Sequence, residues 1–423
     1  MLEAVKVALD PTPAQERLML SHAGAARFAF NAALAHVKDQ LERGEAPDWN
    51  LYALRRWWNA NKARLAPWWA ENSKEAYNTG LSGLADALCN FTRSRKGQRK
   101  GRRVGFPTFR SRDRTTPRFA YTTGSFGLIL DDPKALRLPR IGRVHTFENV
   151  MKRVGDGRVL RMTVSRRAGR WYASLTVERA DPPASIPPEG APIGVDLGVK
   201  ELATISDGTV VHNPRPLERN LGRLAKAQRS LSRKKRGSNR YAKARVTVAR
   251  TYARVANLRA DAMHKLTTKL ADGHSDVCIE DLNVQGMTRN HKLARAIEDA
   301  AFAEFRRMLT YKCARSGARL HVVDRFYPSS KTCSACGMVK AKLSLKERTY
   351  ACEACGLTID RDLNAAKNIL DAVSATGSLN ARGADVRPAG PRTGGRTAMK
   401  REPSVRASGV RLGAGVGNDA MHD

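Results

Sequence analysis

The sequence predicts an α+β multidomain chain in which a split β-barrel with a helical insertion is followed by an α/β domain that a cysteine-rich module interrupts. Three observations support this prediction. A single alternating segment opens the chain ahead of a helical block, more alternating segments follow that block, and two CxxC pairs lie in the second half. A length of 423 residues is sufficient for two or three domains with hydrophobic cores. The end of the chain is predicted to be a disordered tail.

The first half has the pattern of a barrel whose first strand is separated from the others by helices. The alternating segment EAVKVALD predicts that strand within residues 1–11. The string TPAQ then predicts a helix start with a capping box, and helical periodicity indicates an insertion over residues 12–118. The remaining strands are expected at residues 119–181. The hairpin VLRMTVSRRAGRWYASLTVE is the clearest of them, with Leu160 expected on the same inward face as Met162.

The second half is expected to begin after a Pro-rich linker at residues 182–191 and to form a domain over residues 192–373. The domain is predicted to open with a hairpin turning at Asp207-Gly208 and one helical stretch from about Leu217 to Leu270. The strand VCIEDLN, a helix from Arg295 to Ser316 and the strand LHVVDRFY are expected next. The cysteine-rich module at residues 328–357 and a helix from Asp362 complete it. Residues 374–423 are poor in large apolar side chains and cannot offset their ordering entropy, which predicts the disordered tail.

The charge balance indicates a polyanionic partner. Lys and Arg number 75 against 40 Asp and Glu, which gives a formal net charge of +35. Because such an excess disfavours compaction, nucleic acid is the leading interpretation. An anionic membrane surface is the competing one, but no long apolar run is present to anchor the chain, so we expect no membrane association. The absence of a secretory signal pattern, together with cysteine spacing typical of metal ligands and buried thiols, predicts a cytoplasmic protein.

The longest basic segment lies in the helical stretch of the second half. No acidic residue occurs between Arg219 and Arg259. A solvated helix gains stability by mixing charges of opposite sign at i,i+4, so this unmixed segment favours contact with phosphates. The candidate nucleic-acid contacts are Arg223, Arg229, Arg233, Lys234, Lys235, Arg236, Arg240 and Lys243.

The two CxxC pairs have the spacing of a four-thiolate zinc site. Cys333 and Cys336 form one pair, and Cys352 and Cys355 form the other. A CxxC turn places two thiolates on one side of a tight bend, and a second turn completes a tetrahedron. With all four positions filled by protein, a bound Zn²⁺ would be structural. The alternative, two buried thiol pairs or a redox CxxC, fits this spacing less well.

Three carboxylates are candidates for a metal-dependent active site. Asp196 lies within the apolar strand IGVDLGV, Glu280 ends the apolar strand VCIE, and Asp362 opens the last predicted helix. Each also has a structural interpretation, as a strand-turn residue, a strand terminus or a helix N-cap, and Asp360 fits the cap position as well. Together, in a basic chain, they indicate a phosphodiesterase site that binds two Mg²⁺ ions, since Mg²⁺ prefers hard oxygen ligands.

The motifs in their order resemble the TnpB (OrfB) family of insertion-sequence RNA-guided endonucleases, which is related to type V CRISPR effectors. The resemblance extends to about residue 375 and runs through VALDPTPAQERLM, GFPTFRSR, GVDLGVKELAT, IEDLNVQGM, YPSSKTCSACG and CGLTIDRDLNAAKNIL. It implies a wedge barrel with a helical recognition insertion, followed by an RNase H-like RuvC nuclease domain that contains a zinc ribbon. By motif, Asp196, Glu280 and Asp362 match the three RuvC acids. Asp362 is chosen over Asp360 because it directly precedes the x-N-A-A element.

The resemblance also implies partners. A guide RNA from the transposon end and a double-stranded DNA target are expected, with the protein a monomer in the ribonucleoprotein and associated with a bacterial or archaeal nucleoid. The helical insertion is expected to read a short flanking motif, for which Lys74 and Asn78, one turn apart, are candidates. Three alternatives stay open: a guide-dependent repressor that does not cleave, a small type V CRISPR effector, and an RNase H-like resolvase.

Overall fold

The computed structural model describes residues 1–180, 187–344 and 346–375. In this part of the chain the helices are α1 (Pro13–Glu42), α2 (Leu51–Leu65), α3 (Lys74–Arg95), α4 (Val150–Val154), α5 (Pro216–Ser232), α6 (Asn239–Gly273), α7 (Val284–Met287), α8 (His291–Ala300), α9 (Phe302–Ser316) and α10 (Arg361–Ala375). The strands are β1 (Leu2–Asp10), β2 (Arg118–Tyr121), β3 (Gly127–Ile129), β4 (Asp132–Leu138), β5 (Gly142–Thr146), β6 (Arg158–Arg167), β7 (Arg170–Glu178), β8 (Ile193–Leu197), β9 (Glu201–Ile205), β10 (Val210–His212), β11 (Asp276–Glu280), β12 (Arg319–Val323), β13 (Thr349–Ala351) and β14 (Thr358–Asp360).

The first sheet is a curled half-barrel that the helical block interrupts. Its strand order is β2-β6-β7-β1-β5-β4-β3, with antiparallel pairing throughout, so β1 is central although it comes first in the chain. Alternation in β1 buries Val5, Val7 and Leu9 against a core that includes Trp171. The split sheet predicted from the sequence is therefore present, and β1 cannot pair until the distant β5 and β7 have formed.

One face assignment within this sheet is wrong. Met162 and Val164 are buried and lie opposite Leu175 and Ala173, as the alternation predicted. The ladder slips between Val159 and Arg161, so Leu160 is the extra residue of a β-bulge and is only half-buried. A bulge shifts the face of every residue before it, which simple alternation does not reveal.

The helical insertion packs on the half-barrel through α1 and α3. The Thr12 side chain accepts from the backbone N–H of Gln15, and the predicted capping box is complete. Gly80 of α3 lies so close to α1 that a Cβ there would be 2.1 Å from the Ala26 carbonyl oxygen. Only glycine permits this approach. The two long helices of the insertion are thus packed tightly against each other, and both contact β2 of the sheet.

The second sheet is mixed, with strand order β10-β9-β8-β11-β12. β8, β9 and β10 pair antiparallel, and β11 then pairs in parallel with both β8 and β12. The turn at Asp207-Gly208 joins β9 to β10, with Gly208 at φ +92°, whereas we expected it to close a hairpin that included β8. Helix α9 packs against α6 and β12, and α10 crosses β8.

Two predicted helices are each divided in the structure. The stretch expected from Leu217 to Leu270 is a helical hairpin of α5 and α6, broken by a turn in which Gly237 has φ +85° and Ser238 caps α6. The helix expected from Arg295 to Ser316 is divided at Ala301, whose φ of +56° ends α8. The first break has ordinary sequence signals, Gly and an N-cap Ser, whereas the second has none.

The three cysteines outside the CxxC pairs, Cys89, Cys278 and Cys313, are predicted from sequence to be buried thiols. Cys278 and Cys313 are buried, but Cys89 is exposed because it lies on the outer face of α3. α10 continues to Ala375, two residues into the predicted tail, and the rest of that tail lies outside the described residues. Among the described residues, no helix has both the length and the apolar character needed to span a bilayer.

Candidate active site and nucleic-acid interface

The three candidate carboxylates converge at one end of the second sheet. The parallel register pairs Ile279 with Val195, so the following residues, Glu280 and Asp196, are neighbours on adjacent strands. Asp362 lies in the first turn of α10, the helix that crosses β8. Asp196 and Glu280 are half-buried, as is Asp362. Residues that are 166 positions apart in the sequence therefore share one small region.

Helix α10 reaches this region because β8 contains a glycine. A Cβ at Gly194 would lie 2.0 Å from the Ala366 carbonyl oxygen and 2.8 Å from the Leu370 nitrogen, both in α10. Any side chain at this position would push the helix off the strand. Gly194 thus fixes the distance between the strand that carries Asp196 and the helix that carries Asp362.

Hydrogen bonds distinguish Asp362 from its neighbour Asp360. The Asp360 Oδ1 atom accepts from the backbone N–H groups of Asp362 and Leu363, at 2.9 and 3.0 Å. Asp360 is therefore the helix cap, which was the structural interpretation considered for Asp362. Among the described residues, the Asp362 carboxylate makes only a distant ion pair, with its Oδ2 atom 3.9 Å from the Arg348 guanidinium. Its side chain is available for another role.

The electrostatics of the site favour a cation. Burial, followed by repulsion from Glu280 and then Asp362, raises the pKa of Asp196 to about 8. Arg361 opposes this shift only in part. The donor set is made of carboxylate oxygens, which are the ligands that Mg²⁺ prefers.

Two contacts set the position of Glu280 at the end of β11. Its Oε1 atom accepts a hydrogen bond from the Ser329 hydroxyl. The next residue, Asp281, is paired with the guanidinium groups of Arg306 and Arg325, whose hydrogen bonds hold the pKa of its carboxyl below the usual range. No sequence pattern marks Ser329 or this pair of arginines, since nothing local connects them to β11.

The four cysteines form a compact cluster between β12 and α10. The Cys333 and Cys355 sulfurs are 3.6 Å apart, as are those of Cys336 and Cys352. A disulfide would bring sulfurs to about 2.05 Å. A tetrahedron with Zn–S bonds of about 2.3 Å has edges of about 3.8 Å. The cluster is therefore compatible with a zinc site, as its spacing predicted.

The backbone of the cluster is arranged for metal binding. Gly337 and Gly356 follow the two pairs with φ of +76° and +75°, and each donates its N–H to the carbonyl of the first cysteine in its pair. Hydrogen bonding by the backbone at Cys355 lowers the pKa of the Cys352 thiol to about 6, whereas hydrogen bonding among the neighbouring sulfurs raises the pKa of the Cys355 thiol. Tyr350 is fully buried beneath the sulfurs.

Helix α10 is tied to the segment that leads into the cluster. Asn368 donates through Nδ2 to the carbonyls of Ser329 and Thr332, at 2.7 and 2.6 Å. Asn364 donates to the Thr332 carbonyl at 2.7 Å and accepts from the Ser334 N–H at 3.0 Å. Both asparagines are buried, so these bonds are shielded from water. The cysteine module and the helix bearing Asp362 are one connected unit.

The candidate basic residues lie on the α5–α6 hairpin. Residues 233–236 form its turn, and the remaining candidates flank it on the two helices. Seven of the eight side chains are exposed and Lys234 is half-buried. Within the described part of the chain, none of the eight forms a salt bridge. These charges are therefore unneutralised and concentrated at one end of the hairpin.

Arginines that sequence analysis did not select line two cavities. A groove of about 860 Å³ between the half-barrel and α6 is lined by four arginines and three acidic residues: Arg167, Arg170, Arg250, Arg254, Asp10, Glu16 and Asp261. A second cavity of about 530 Å³ beside α1 and α3 is lined by five arginines and one acidic residue: Arg27, Arg110, Arg114, Arg118, Arg161 and Asp86. Arg110 and Arg114 belong to the basic run of residues 93–114, whereas the other lining arginines are dispersed in the sequence.

The two motif-reading candidates lie on the first turns of α3. Lys74 is exposed, whereas Asn78 is half-buried and donates to the Glu75 Oε1 atom at 3.0 Å. Glu75 is itself buried and accepts from the hydroxyls of Thr122 and Thr123, at 2.6 and 3.0 Å. Burial alone would raise the pKa of Glu75, but the hydrogen bonds outweigh it and that pKa lies below its usual value.

Replacing Glu75 with Gln is expected to lower the free energy of unfolding by about 1–3 kcal/mol, because a buried acceptor site is replaced by a donor. The Glu75 carboxyl has a lowered pKa in the folded state, so its contribution is present above the ordinary pKa of 4.5 and is lost as pH falls through the folded value. Urea unfolding at neutral and acidic pH measures both effects. Glu71→Gln, at an exposed position nearby, should change little. Equal effects of the two substitutions would contradict the role given to Glu75.

Comparison with known proteins gives consistent matches along the chain. Residues 174–291 match the OrfB_IS605 family, described as "Probable transposase", and residues 302–369 match the Cas12f1-like TNB domain. Residues 1–46 match the helix-turn-helix domain of the OrfB_IS605 family, although in this structure they form one strand and one helix. A "Putative RNA-guided DNA endonuclease" of Mycobacterium tuberculosis is 37% identical, with 94% of each chain covered. A protein of the same description from Streptomyces pristinaespiralis is also 37% identical, over 96% of this chain and 98% of the relative.

More distant similarity extends to an enterobacterial protein and to a solved structure. InsQ of Escherichia coli K12, a "Putative RNA-guided DNA endonuclease", is 32% identical, with 88% of this chain and 92% of the relative covered. A cryo-EM structure of a Cas12f1–sgRNA–target DNA complex aligns with a TM-score of 0.49 and 16% identity, covering 84% of this chain and 82% of that chain.

Proposed function

Because the chain belongs to the TnpB (OrfB) family, we propose that it is an RNA-guided endonuclease that cleaves double-stranded DNA beside a short flanking motif. The observation that carries this proposal is the convergence of Asp196, Glu280 and Asp362 at one end of the second sheet, in a chain with a net charge of +35. The mixed sheet that carries two of these acids supports an RNase H-like RuvC domain. The similar proteins named above support guided cleavage.

The residues of the site have separate roles in this proposal. Asp196, Glu280 and Asp362 would hold two Mg²⁺ ions, which when bound supply activation of water and neutralisation of charge at the scissile phosphate. Gly194 keeps α10 against β8 so that the first and third carboxylates stay close together. Asp360 caps the helix and leaves the Asp362 carboxylate free to bind metal. A Zn²⁺ held by the four cysteines would be structural.

Recognition of nucleic acid is assigned to the unpaired basic residues. The guide RNA, derived from the transposon end, would contact the α5–α6 hairpin and the arginine-lined groove beside α6. Lys74 and Asn78 would read the flanking motif, with Glu75 fixing the Asn78 amide. Pairing between guide and target would then supply the sequence specificity.

Neutralising residues 233–236 with Gln is expected to weaken guide binding and to flatten its salt dependence. Four lost phosphate contacts would reduce the slope of log Kobs against log salt by about three for single-stranded RNA. Filter binding over a salt series measures the slope. A control removes four charges that are paired with carboxylates, at Arg43, Arg215, Lys265 and Arg307. A slope that falls equally in both variants would contradict the assignment of the hairpin.

The proposal is tested by co-expressing the chain with RNA from its downstream transposon end. The complex is given a matched plasmid library with randomised flanking sequence, in Mg²⁺. We expect double-strand breaks next to one flanking motif, only with the matching guide. Guide-dependent binding without breaks would instead indicate a repressor. Breaks that do not depend on the guide would contradict guided cleavage.

A further inference from the structure

Ser329 lies at the junction of three elements of the active site. It belongs to the segment between β12 and the cysteine cluster, and only 6% of its surface is exposed. Its hydroxyl donates to the Oε1 atom of Glu280, and its carbonyl accepts from Asn368 of α10 at 2.7 Å. A single residue therefore contacts both the end of β11 and the helix that begins with the third carboxylate.

The position of Ser329 is fixed by buried hydrogen bonds. The Asn368 side chain donates to the carbonyls of Ser329 and Thr332. The Asn364 side chain, one turn earlier in α10, also donates to the Thr332 carbonyl. The two asparagines are 2% and 0% exposed, so loss of these bonds would leave buried polar groups without partners. The hydroxyl thus has little freedom to move relative to α10.

Ser329 contacts only one of the two carboxylate oxygens of Glu280. One carboxylate oxygen, Oε1, is occupied by the Ser329 hydroxyl. Among the described residues, no group donates a hydrogen bond to the other oxygen, Oε2. A glutamate side chain at a strand end has several accessible rotamers, and a hydrogen bond to one oxygen selects among them. The remaining oxygen is then presented in a fixed direction.

We infer that Ser329 is a positioning residue that orients Glu280 for divalent-cation binding, and that the Asn364–Asn368 contacts make this orientation depend on the cysteine module. The inference rests on the proposed function. It assigns the module a role beyond its own folding, because the segment that carries Ser329 runs directly into Cys333. A purely structural hydrogen bond would stabilise the fold without changing metal affinity.

The test compares Ser329→Ala, Ser329→Thr and Ser330→Ala in the complete guide-bound protein. Ser330 is a matched control, because it adjoins Ser329 and its hydroxyl makes no hydrogen bond among the described residues. Mn²⁺ binding is measured by the loss of the free-ion EPR signal, and cleavage of guide-matched DNA is measured over a Mg²⁺ series. Guided DNA binding in the absence of divalent metal should be the same in all variants.

We expect Ser329→Ala to weaken Mn²⁺ binding and to raise the Mg²⁺ concentration for half-maximal cleavage by roughly ten-fold, as expected for one hydrogen bond to a charged acceptor. Ser329→Thr keeps a hydroxyl, so its Mn²⁺ affinity and its Mg²⁺ concentration for half-maximal cleavage should both lie close to the wild-type values. Ser330→Ala should match the wild type. Unchanged Mn²⁺ affinity in Ser329→Ala, or equal loss in the Ala and Thr variants, would overturn the inference. Absence of cleavage by the wild type would count against the proposed function alone, since Mn²⁺ binding still decides the role of Ser329.

Discussion

Replacing Asp196 with Asn should lower the rate of guided DNA cleavage by roughly 10³-fold, since losing several kcal/mol of charge stabilisation in the transition state corresponds to a factor of this size. Guide and target binding should persist, because the basic hairpin and grooves do not involve this residue. The substitution should also raise the melting temperature of the metal-free protein. Burial and two neighbouring carboxylates make an ionised Asp196 unfavourable, and Asn removes that charge.

A second measurement on the same variant separates metal binding from a general loss of structure. Mg²⁺ should raise the melting temperature of the wild type, because a ligand that binds only the folded state stabilises it, and should have a much smaller effect on Asp196→Asn. Asp207→Asn, which removes the same charge from an exposed turn of the same sheet, is the matched control and should cleave normally. Normal cleavage by Asp196→Asn would remove this residue from the active site.

Replacing Cys352 with Ser should abolish zinc binding and, with it, DNA cleavage. Thiolate coordination of zinc contributes on the order of 10 kcal/mol to the folding of small four-ligand modules, so the cluster should lose its structure. Because Asn364 and Asn368 of α10 bind the segment leading into the cluster, that loss should also disturb Asp362 and Glu280. Zinc content by elemental analysis and the cleavage rate measure the two effects.

The matched control for this substitution is Cys89→Ser. Cys89 is an exposed thiol on α3, far from the cluster in sequence, and its loss should change neither zinc content nor cleavage. If Cys352→Ser lost its zinc but still cleaved at the normal rate, the cysteine module would be independent of the active site. Zinc retained at the wild-type level in Cys352→Ser would contradict the four-thiolate site itself.

The parts of the structure that could be predicted from sequence are those with local signals. Alternation identified β1 and the β6–β7 hairpin, the capping box identified the start of α1, and CxxC spacing identified the cysteine cluster. The strand positions of Asp196 and Glu280 were evident because a carboxylate in an apolar run is unusual. In each case the physical cause lies within a few residues of its effect.

The parts that could not be predicted depend on contacts between distant residues. Ser329 is 49 positions from Glu280, and Asn368 is 39 positions from Ser329, so no local pattern connects them. The choice of Asp362 over Asp360 came from the family resemblance alone, because which carboxylate caps α10 is a matter of side-chain geometry that the residue pattern does not show. The bend at Ala301 occurs in a residue that normally favours a continuous helix, so packing must impose it. By contrast, the break between α5 and α6 could have been predicted, because Gly237 and the N-cap Ser238 are ordinary signals of a helix end and a helix start.

The measurement that tests guided, metal-dependent cleavage most directly is the single-turnover rate on one guide-matched duplex that carries the flanking motif. The wild type is compared with Asp196→Asn, Glu280→Gln and Asp362→Asn, each in Mg²⁺ and in EDTA. We predict rapid cleavage by the wild type in Mg²⁺ alone, and losses of similar size in the three variants, because residues that act as a unit fail together. Cleavage that survives EDTA, or that survives loss of any one of these carboxylates, would contradict a shared metal site.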